Sequence, residues 1–138
     1  MTENQTARLI GSAPVFLVAD VVKAAEYYRD VLGFTYPRFW GEPPGFCMPK
    51  RDDFIVMLSL TKTAATVLPN SNIEEAATRW DAYFWIDDAN KLFKEFKANG
   101  AQIVHKPIIK EYYSMKEFAV KDLDGYILAF GQPLPVKA

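Results

Sequence analysis

Cysteine and histidine are nearly absent from this sequence, and their scarcity removes several kinds of site. Among its 138 residues there is one cysteine, Cys47, and one histidine, His105. A single cysteine cannot form an intrachain disulfide or assemble a cysteine-based zinc site. With no base signalled near it, Cys47 is predicted to be an unreactive, half-buried thiol. His105 is predicted to be a surface residue at the end of a short strand.

The sequence also lacks an excess of positive or negative charge, and it has no long hydrophobic run. The chain has 16 Lys and Arg against 17 Asp and Glu, a formal net charge of −1. No basic surface is therefore expected to attract a phosphate backbone, and nucleic-acid binding is not predicted. No apolar run approaches the length of a membrane span, and the N-terminus does not resemble a signal peptide. We expect no membrane partner and a cytoplasmic location.

Hydrophobic residues, by contrast, make up 50% of the chain, and they include ten Phe, seven Tyr and three Trp. This is enough apolar material for the core of one globular domain. No Gly-rich phosphate loop, nucleophile elbow or Ser/His/Asp arrangement is visible. The sequence is therefore rich in aromatic residues and has no recognisable catalytic motif.

The first half of the chain predicts a strand, a helix and three more strands. Residues 13–19 form a short, apolar, β-prone run. From Val21 the apolar residues recur at helical spacing, Asp20 is a suitable N-cap, and Gly33 is a suitable residue to end the helix. Strands are predicted at 34–40, 46–50 and 54–60.

The same arrangement recurs after a long connection at 61–80, in which a helical turn is predicted at 73–78. A strand at 82–86 leads to a helix that Asp87 or Asp88 can cap and that Gly100 ends. Further strands are predicted at 101–105, 112–120 and 126–131, with a tight turn at 122–125 and a loose tail from Gln132. That turn begins like a calcium loop, but no bidentate Glu follows at the required spacing.

This repeat predicts the architecture. Residues 16–20 align with 84–88, an offset of 68 that is close to half of the chain. Two helices among about eight strands fit a tandem pair of βαβββ modules better than a doubly wound sheet, so the predicted class is α+β. The predicted division is an N-terminal arm at 1–12, a first module at 13–61, a linker at 62–80, a second module at 81–131 and a C-terminal tail at 132–138.

Three segments resemble the glyoxalase/bleomycin-resistance (vicinal oxygen chelate) superfamily. VFLVADVVKAAEYYRDVLGF at 15–34 and AYFWIDDANKLFKEFKANGA at 82–101 look like the opening strand and helix of its two modules. EYYSMKEFAVKDLDGYILAFGQ at 111–132 resembles the closing hairpin of its bleomycin-resistance branch, whose pattern is Trp-Gly-x-Arg-Glu-Phe-x-Val-x-Asp-Pro-Asp-Gly-Asn. The chain keeps Glu117, Phe118, Val120, Asp122, Asp124 and Gly125 of that pattern and departs from it at Tyr113, Ser114, Lys116, Leu123 and Tyr126.

The resemblance implies that the two modules form a curved mixed sheet around a cleft, with the helices on the outer side. Because side chains alternate along a strand, the residues opposite the helix-packed ones should face the cleft. This reasoning predicts a ligand-binding surface of aromatic and acidic character. Its members are Met57, Ser59, Asp81, Tyr83, Trp85, Tyr113, Met115 and Glu117.

Catalytic members of the superfamily usually hold a divalent ion with His, Glu or Gln from four cleft strands. The resemblance places Ala13, Ser59, Asp81 and Ala129 at those positions. Two alanines cannot bind a cation and a neutral serine is a weak ligand, so only Asp81 could serve. We therefore expect no metal, no other cofactor and no catalytic residue of the usual kind.

Three functional hypotheses follow. The first is a metal-independent binding protein that sequesters a planar or cationic organic molecule, such as an antibiotic, by stacking, cation–π attraction and a carboxylate counter-charge. The second is a glyoxalase-like lyase, isomerase or dioxygenase, metal-free or with a non-standard metal site. The third is a scaffold whose cleft is filled by its own side chains. The resemblance also implies a homodimer in which each cleft uses residues of both chains.

Overall fold

The fold was examined in a computed structural model, which describes residues 6–70 and 80–136. The predicted helical turn at 73–78 lies outside these residues. The described part forms two four-stranded sheets, each with one helix packed on it, as expected for an α+β protein built from a repeat. In the described part of the chain, no helix has the length and apolar character needed to cross a membrane.

The first sheet has the strand order β1-β6-β3-β2, and β1 runs parallel to β6. Strands β4 and β5 form a separate antiparallel hairpin beside it. The bounds are β1 Val15–Val18, α1 Val21–Asp30, β2 Phe39–Trp40, β3 Phe46–Cys47, β4 Lys50–Arg51, β5 Phe54–Ile55 and β6 Met57–Leu60. The three strands predicted here are therefore shorter and more interrupted than expected.

The second sheet has the equivalent order β7-β10-β9-β8, and β7 runs parallel to β10. Its elements are β7 Ala82–Trp85, α2 Ala89–Ala98, β8 Gln102–Lys110, β9 Met115–Lys121 and β10 Ile127–Pro133. Strand β8 is longer than the predicted strand at 101–105. The expected loose tail from Gln132 is wrong at its start, because β10 continues to Pro133 and the Leu134 amide donates to the Ser114 carbonyl at 2.9 Å.

Equivalent signals begin and end the two helices. The Asp20 carboxylate accepts from the Lys23 amide and the Asp88 carboxylate from the Lys91 amide, each at 3.0 Å. This contact satisfies one of the free amides at each helix N-terminus. Gly33 and Gly100, just beyond the two helices, have φ angles of +75° and +89°. Residues other than glycine rarely adopt such φ angles. Glycine at these two positions therefore allows the chain to leave the helix.

One apolar core lies between the helices and the sheets. In β1, Phe16 and Val18 are buried while Val15 and Leu17 are exposed, as the alternation of side chains along a strand requires. In the second sheet, the rings of Phe118 and Phe130 stack beneath Phe96 of α2. The helix-facing side of each sheet is thus used for folding, which leaves the opposite side available for a site.

Candidate functional site

The opposite face of the second sheet carries a pocket of about 550 Å³. Its described lining is mostly aromatic, with one buried acid and two basic side chains. These residues are Trp80, Tyr83, Trp85, His105, Lys110, Tyr113, Met115 and Glu117. Five of the eight sequence-predicted site residues therefore lie together in this one pocket.

Strand alternation explains why these side chains meet. Tyr83 and Trp85 are two residues apart on β7, and Met115 and Glu117 are two residues apart on β9. Strand β10 lies between them, and its Gly131 is paired with Trp85 on one side and with Glu117 on the other. The pocket therefore has aromatic side chains from one edge strand, an acid from an inner strand, and a glycine between them.

Glu117 is the central polar group of the pocket. Its side chain is buried, with a relative exposure of 1%. The Tyr83 hydroxyl donates to Oε2 at 2.6 Å, and the Tyr113 hydroxyl donates to Oε1. Both carboxylate oxygens therefore have a partner, as a buried acid requires.

The two tyrosines remain protonated donors at neutral pH. Burial is the main cause that raises the pKa of each hydroxyl, and the hydrogen bond to Glu117 and its negative charge raise it further. The pKa of Tyr113 rises to about 12. Neither hydroxyl is therefore suited to act as a general base near neutral pH.

Gly131 makes this arrangement possible because it has no side chain. A Cβ at this position would lie 1.9 Å from the Tyr83 hydroxyl oxygen and 2.7 Å from the Met115 Cε atom. The Tyr83 ring thus crosses over the glycine to reach Glu117. Sequence reasoning missed this role, although a glycine within an otherwise regular strand is a sign of close approach by another group.

The two basic side chains of the pocket lie on one edge strand of the sheet. His105 and Lys110 belong to β8, whereas Tyr83 and Trp85 belong to β7 at the other edge. Three strand spacings separate these edges, or roughly 14 Å. The backbones that carry Tyr83 and Trp85 are therefore far from those of His105 and Lys110, whereas Tyr113 follows β8 directly.

The structure separates the other three predicted site residues from this pocket. Met57 and Ser59 lie on β6 of the first sheet, paired with Val15 and Leu17 of β1. Asp81 precedes β7, where its two carboxylate oxygens accept from the Asn70 and Ile127 amides, each at 2.8 Å. Strand alternation assigned the face of each side chain, but it could not show which of these side chains share a pocket.

The four positions that hold a metal in catalytic relatives do not fit a cation here. Ala13 and Ser59 lie with the first sheet, and Asp81 and Ala129 with the second. Both oxygens of Asp81 already bind backbone amides, and Ala129 is buried beside Ala119. Within residues 6–70 and 80–136, no group of three or more His, Cys, Asp or Glu side chains could hold a metal ion.

Three lining residues were not predicted from sequence. Trp80 packs on the Tyr83 ring at a centroid distance of 5.0 Å, and His105 and Lys110 reach the pocket from β8. The strand-end position expected for His105 was wrong, because the strand continues to Lys110, and its pairing with β9 shifts on both sides of His105. Such register shifts redirect side chains and are not visible in the periodicity.

Cys47 lies away from this pocket, on β3. It is fully buried, and its thiol donates to the Arg38 carbonyl at 3.6 Å. Burial is the main cause that raises the pKa of the thiol, to about 11. The thiolate needed for nucleophilic chemistry is therefore scarce at neutral pH.

Comparisons with known proteins agree with this fold. The model of the Glyoxalase/Bleomycin resistance protein/Dioxygenase superfamily matches residues 12–130. No curated protein shows a significant match to the sequence. Among solved structures, TioX from Micromonospora sp. ML1 is similar with a TM-score of 0.70 and 21% identity, over 91% of this chain and 99% of that one.

A second similar structure is that of a bleomycin-binding protein from bleomycin-producing Streptomyces verticillus, complexed with copper(II)-bleomycin. It has a TM-score of 0.65 and 20% identity, over 94% of this chain and 99% of the other. A glyoxalase/bleomycin resistance protein/dioxygenase from Alicyclobacillus acidocaldarius has a TM-score of 0.69 and 15% identity, over 91% and 92%. At these identities the structures establish a shared fold.

Proposed function

Because the chain belongs to the glyoxalase/bleomycin resistance protein/dioxygenase superfamily, we propose that it is a metal-independent protein that binds a small molecule without converting it. Its ligand is a planar or cationic organic compound, such as an antibiotic, held in the aromatic pocket of the second sheet. The observation that carries this proposal is the buried Glu117 surrounded by Tyr83, Tyr113 and neighbouring tryptophans. A cytoplasmic location accompanies the proposal, since the one cysteine is unpaired.

The chemistry of the lining favours such a ligand over a neutral sugar or an anion. Tyr83 and Trp85 meet edge to face at a centroid distance of 5.2 Å, and the Trp80 ring lies 5.0 Å from that of Tyr83. Aromatic faces attract planar rings by stacking and cations through their quadrupoles. The Glu117 charge adds to that attraction because it lies buried at the hydroxyl ends of Tyr83 and Tyr113, where water screens it little.

We expect bleomycin to quench the intrinsic tryptophan fluorescence in a saturable manner. Trp80 and Trp85 line the pocket, and Trp85 is 72% exposed, so a stacked ligand would contact both indoles. Fluorescence titration gives the dissociation constant, and chromatography of the released drug is expected to recover it chemically intact.

Two tryptophan variants separate specific from general quenching. Trp85→Phe should reduce the quenching amplitude markedly, whereas Trp40→Phe should reduce it less, because Trp40 lies on β2 of the first sheet and not on the sheet whose pocket holds the drug. Recovery of a modified drug, or equal loss of the signal in both variants, would argue against a passive binding pocket.

The proposal includes a homodimer in which a second copy of the chain covers the pocket. The described lining comes from the second sheet and its flanking segments alone, so the pocket is open on its outer side. The first sheet meanwhile leaves the equivalent face uncovered, with Val15 57% and Leu17 40% exposed. An apolar face and an open aromatic pocket are complementary surfaces, and the net charge of −1 opposes association little.

Light scattering is therefore expected to give twice the chain mass at micromolar concentration. Leu17→Asp should shift the protein to monomer, because a charged side chain would replace an apolar contact in the proposed interface. Leu123→Asp is the matched control, since Leu123 is 52% exposed in the β9–β10 turn. A monomeric wild-type protein, or a Leu17→Asp variant that stays dimeric, would contradict this assembly.

A further inference from the structure

We propose that the pocket selects cations that carry no N–H donors, such as quaternary ammonium or N-alkylated ring cations, over primary ammonium groups. This inference rests on the proposed function and specifies its ligand class. It comes from the way in which Glu117 is held and not from the presence of an acid alone.

The carboxylate attracts a cation but offers it no accessible oxygen. Each oxygen of Glu117 accepts a tyrosine hydroxyl, and the side chain is only 1% exposed. A primary ammonium ion that enters the pocket must give up hydrogen bonds to water, and this acid cannot replace them. A quaternary cation has no such bonds to lose, so it incurs only the smaller cost of partial dehydration.

The tyrosines transmit the negative charge to the surface that the ligand meets. A phenol that donates a hydrogen bond to a carboxylate becomes richer in electrons, which strengthens the attraction of its ring for a cation. Both hydroxyls stay protonated, because burial and the nearby carboxylate raise the pKa of each. The rings therefore present a permanent electron-rich surface to a cation while the carboxylate oxygens behind them stay covered.

The remaining polar groups of the pocket do not supply a second acidic partner. Lys110 is cationic, and His105 places Nδ1 2.9 Å from the Lys106 carbonyl oxygen. Both lie on β8, across the sheet from Tyr83 and Trp85. A cation bound against Tyr83 and Trp85 is thus across the sheet from the strand that carries Lys110 and His105.

Three matched probes test this selectivity by fluorescence titration of the full-length protein: benzyltrimethylammonium, benzylammonium and the neutral isostere neopentylbenzene. We expect benzyltrimethylammonium to bind about tenfold more tightly than either of the others. Equal or tighter binding of benzylammonium, or of neopentylbenzene, overturns the inference. If bleomycin binds and none of the three probes does, the inference fails while the proposed function stands; if bleomycin also fails to bind, both fail.

Two variants link the selectivity to Glu117. Glu117→Gln should weaken the binding of benzyltrimethylammonium about tenfold, because it removes the charge and keeps the shape of the side chain. The affinity for neopentylbenzene should not change. Tyr83→Phe frees one carboxylate oxygen, so it should raise the affinity for benzylammonium relative to that for benzyltrimethylammonium. If Tyr83 had only a structural role, the variant would bind both probes more weakly by the same factor, and that result would contradict the proposal.

Lys110→Ala is the matched control for charge. Removing a repulsive cation should strengthen the binding of both cationic probes by the same factor, so that the ratio of their affinities is unchanged. A change in that ratio would show that Lys110, and not the covered acid, sets the selectivity. Thermal melts of each variant confirm that the fold is retained before the titrations are compared.

Discussion

Gly131→Ala is expected to weaken ligand binding at least tenfold and to destabilise the fold by about 2–4 kcal/mol. The added Cβ would lie 1.9 Å from the Tyr83 hydroxyl oxygen and 2.7 Å from its Cζ atom. Strand β10 cannot move away, because it is paired on both sides at this residue, with Trp85 and with Glu117. The Tyr83 ring must therefore leave its place over the strand.

That displacement has two consequences. The Glu117 carboxylate loses the hydrogen bond from Tyr83 while its side chain remains buried, which carries the penalty of an unsatisfied buried acceptor. The ring that would face a ligand also moves, so the aromatic surface between Trp80 and Trp85 is broken. Stability and affinity should thus fall together in this variant.

Urea denaturation and fluorescence titration measure the two effects, and Gly45→Ala is the matched control. No heavy atom lies within 4 Å of a Cβ built on Gly45, and its φ angle is not in the left-handed region. The control should retain wild-type affinity and match or slightly exceed wild-type stability. If Gly131→Ala and Gly45→Ala behaved alike, Tyr83 would not depend on the glycine in β10, and our account of the pocket would be wrong.

The fold could be predicted largely because its signals are local. Asp20 and Asp88 cap helices at an offset of 68, and α1 and α2 each span ten residues at that same offset. Helical periodicity and capping residues are written into neighbouring positions, so the repeat was visible without tertiary information. The strands were less predictable: the strand expected at 46–50 is interrupted at Pro49, and the one expected at 54–60 is interrupted at Val56.

The site was predictable only where it follows the regular alternation of strands. Tyr83, Trp85, Met115 and Glu117 were found because β7 and β9 are regular through these residues. Met57 and Ser59 could not be separated from them, since one sequence does not show how two sheets are placed relative to each other. Gly131 was missed for a different reason. It contributes the space that the Tyr83 ring occupies, and the pattern of side chains along the sequence does not reveal such a space.

The second large effect is expected from Asp122, which joins the two halves of the chain. This residue lies at the end of β9 and is 3% exposed. It accepts hydrogen bonds from the Tyr28 hydroxyl of α1 at 2.7 Å and from the Tyr126 amide at 2.9 Å. It also accepts from the Asp124 amide at 3.0 Å. One carboxylate therefore fixes the β9–β10 turn and attaches it to the helix of the first half.

Asp122→Ala should lower the free energy of unfolding by about 3 kcal/mol, because it leaves a fully buried tyrosine hydroxyl and two amides without their acceptor. Asp122→Asn keeps one carbonyl oxygen and should lose only about 1 kcal/mol at neutral pH. Asp87→Ala, at an exposed position, is the control and should change stability by less than about 0.5 kcal/mol. A small loss in Asp122→Ala would mean that the modules are held together elsewhere.

The pH dependence distinguishes the charge of Asp122 from its hydrogen bonds. Burial is the main cause that raises the pKa of this carboxyl from 3.8 to about 7, against the opposing hydrogen bonds from Tyr28 and two amides. The folded state therefore holds the proton more tightly than the unfolded chain does. The contribution of this group to stability is greatest below pH 3.8, falls as the pH rises to about 7 and is constant above that.

Asp122→Asn cannot titrate, so its stability relative to wild type should improve steadily as the pH is raised from about 5 to about 8. The change over that range should be on the order of 2–3 kcal/mol, at about 1.36 kcal/mol for each unit of pKa difference. Urea denaturation at fixed ionic strength measures it. A constant difference between the two proteins across the range would show that Asp122 is already ionised in the folded state at the acidic end, with its charge stabilised by Tyr28 and the turn amides.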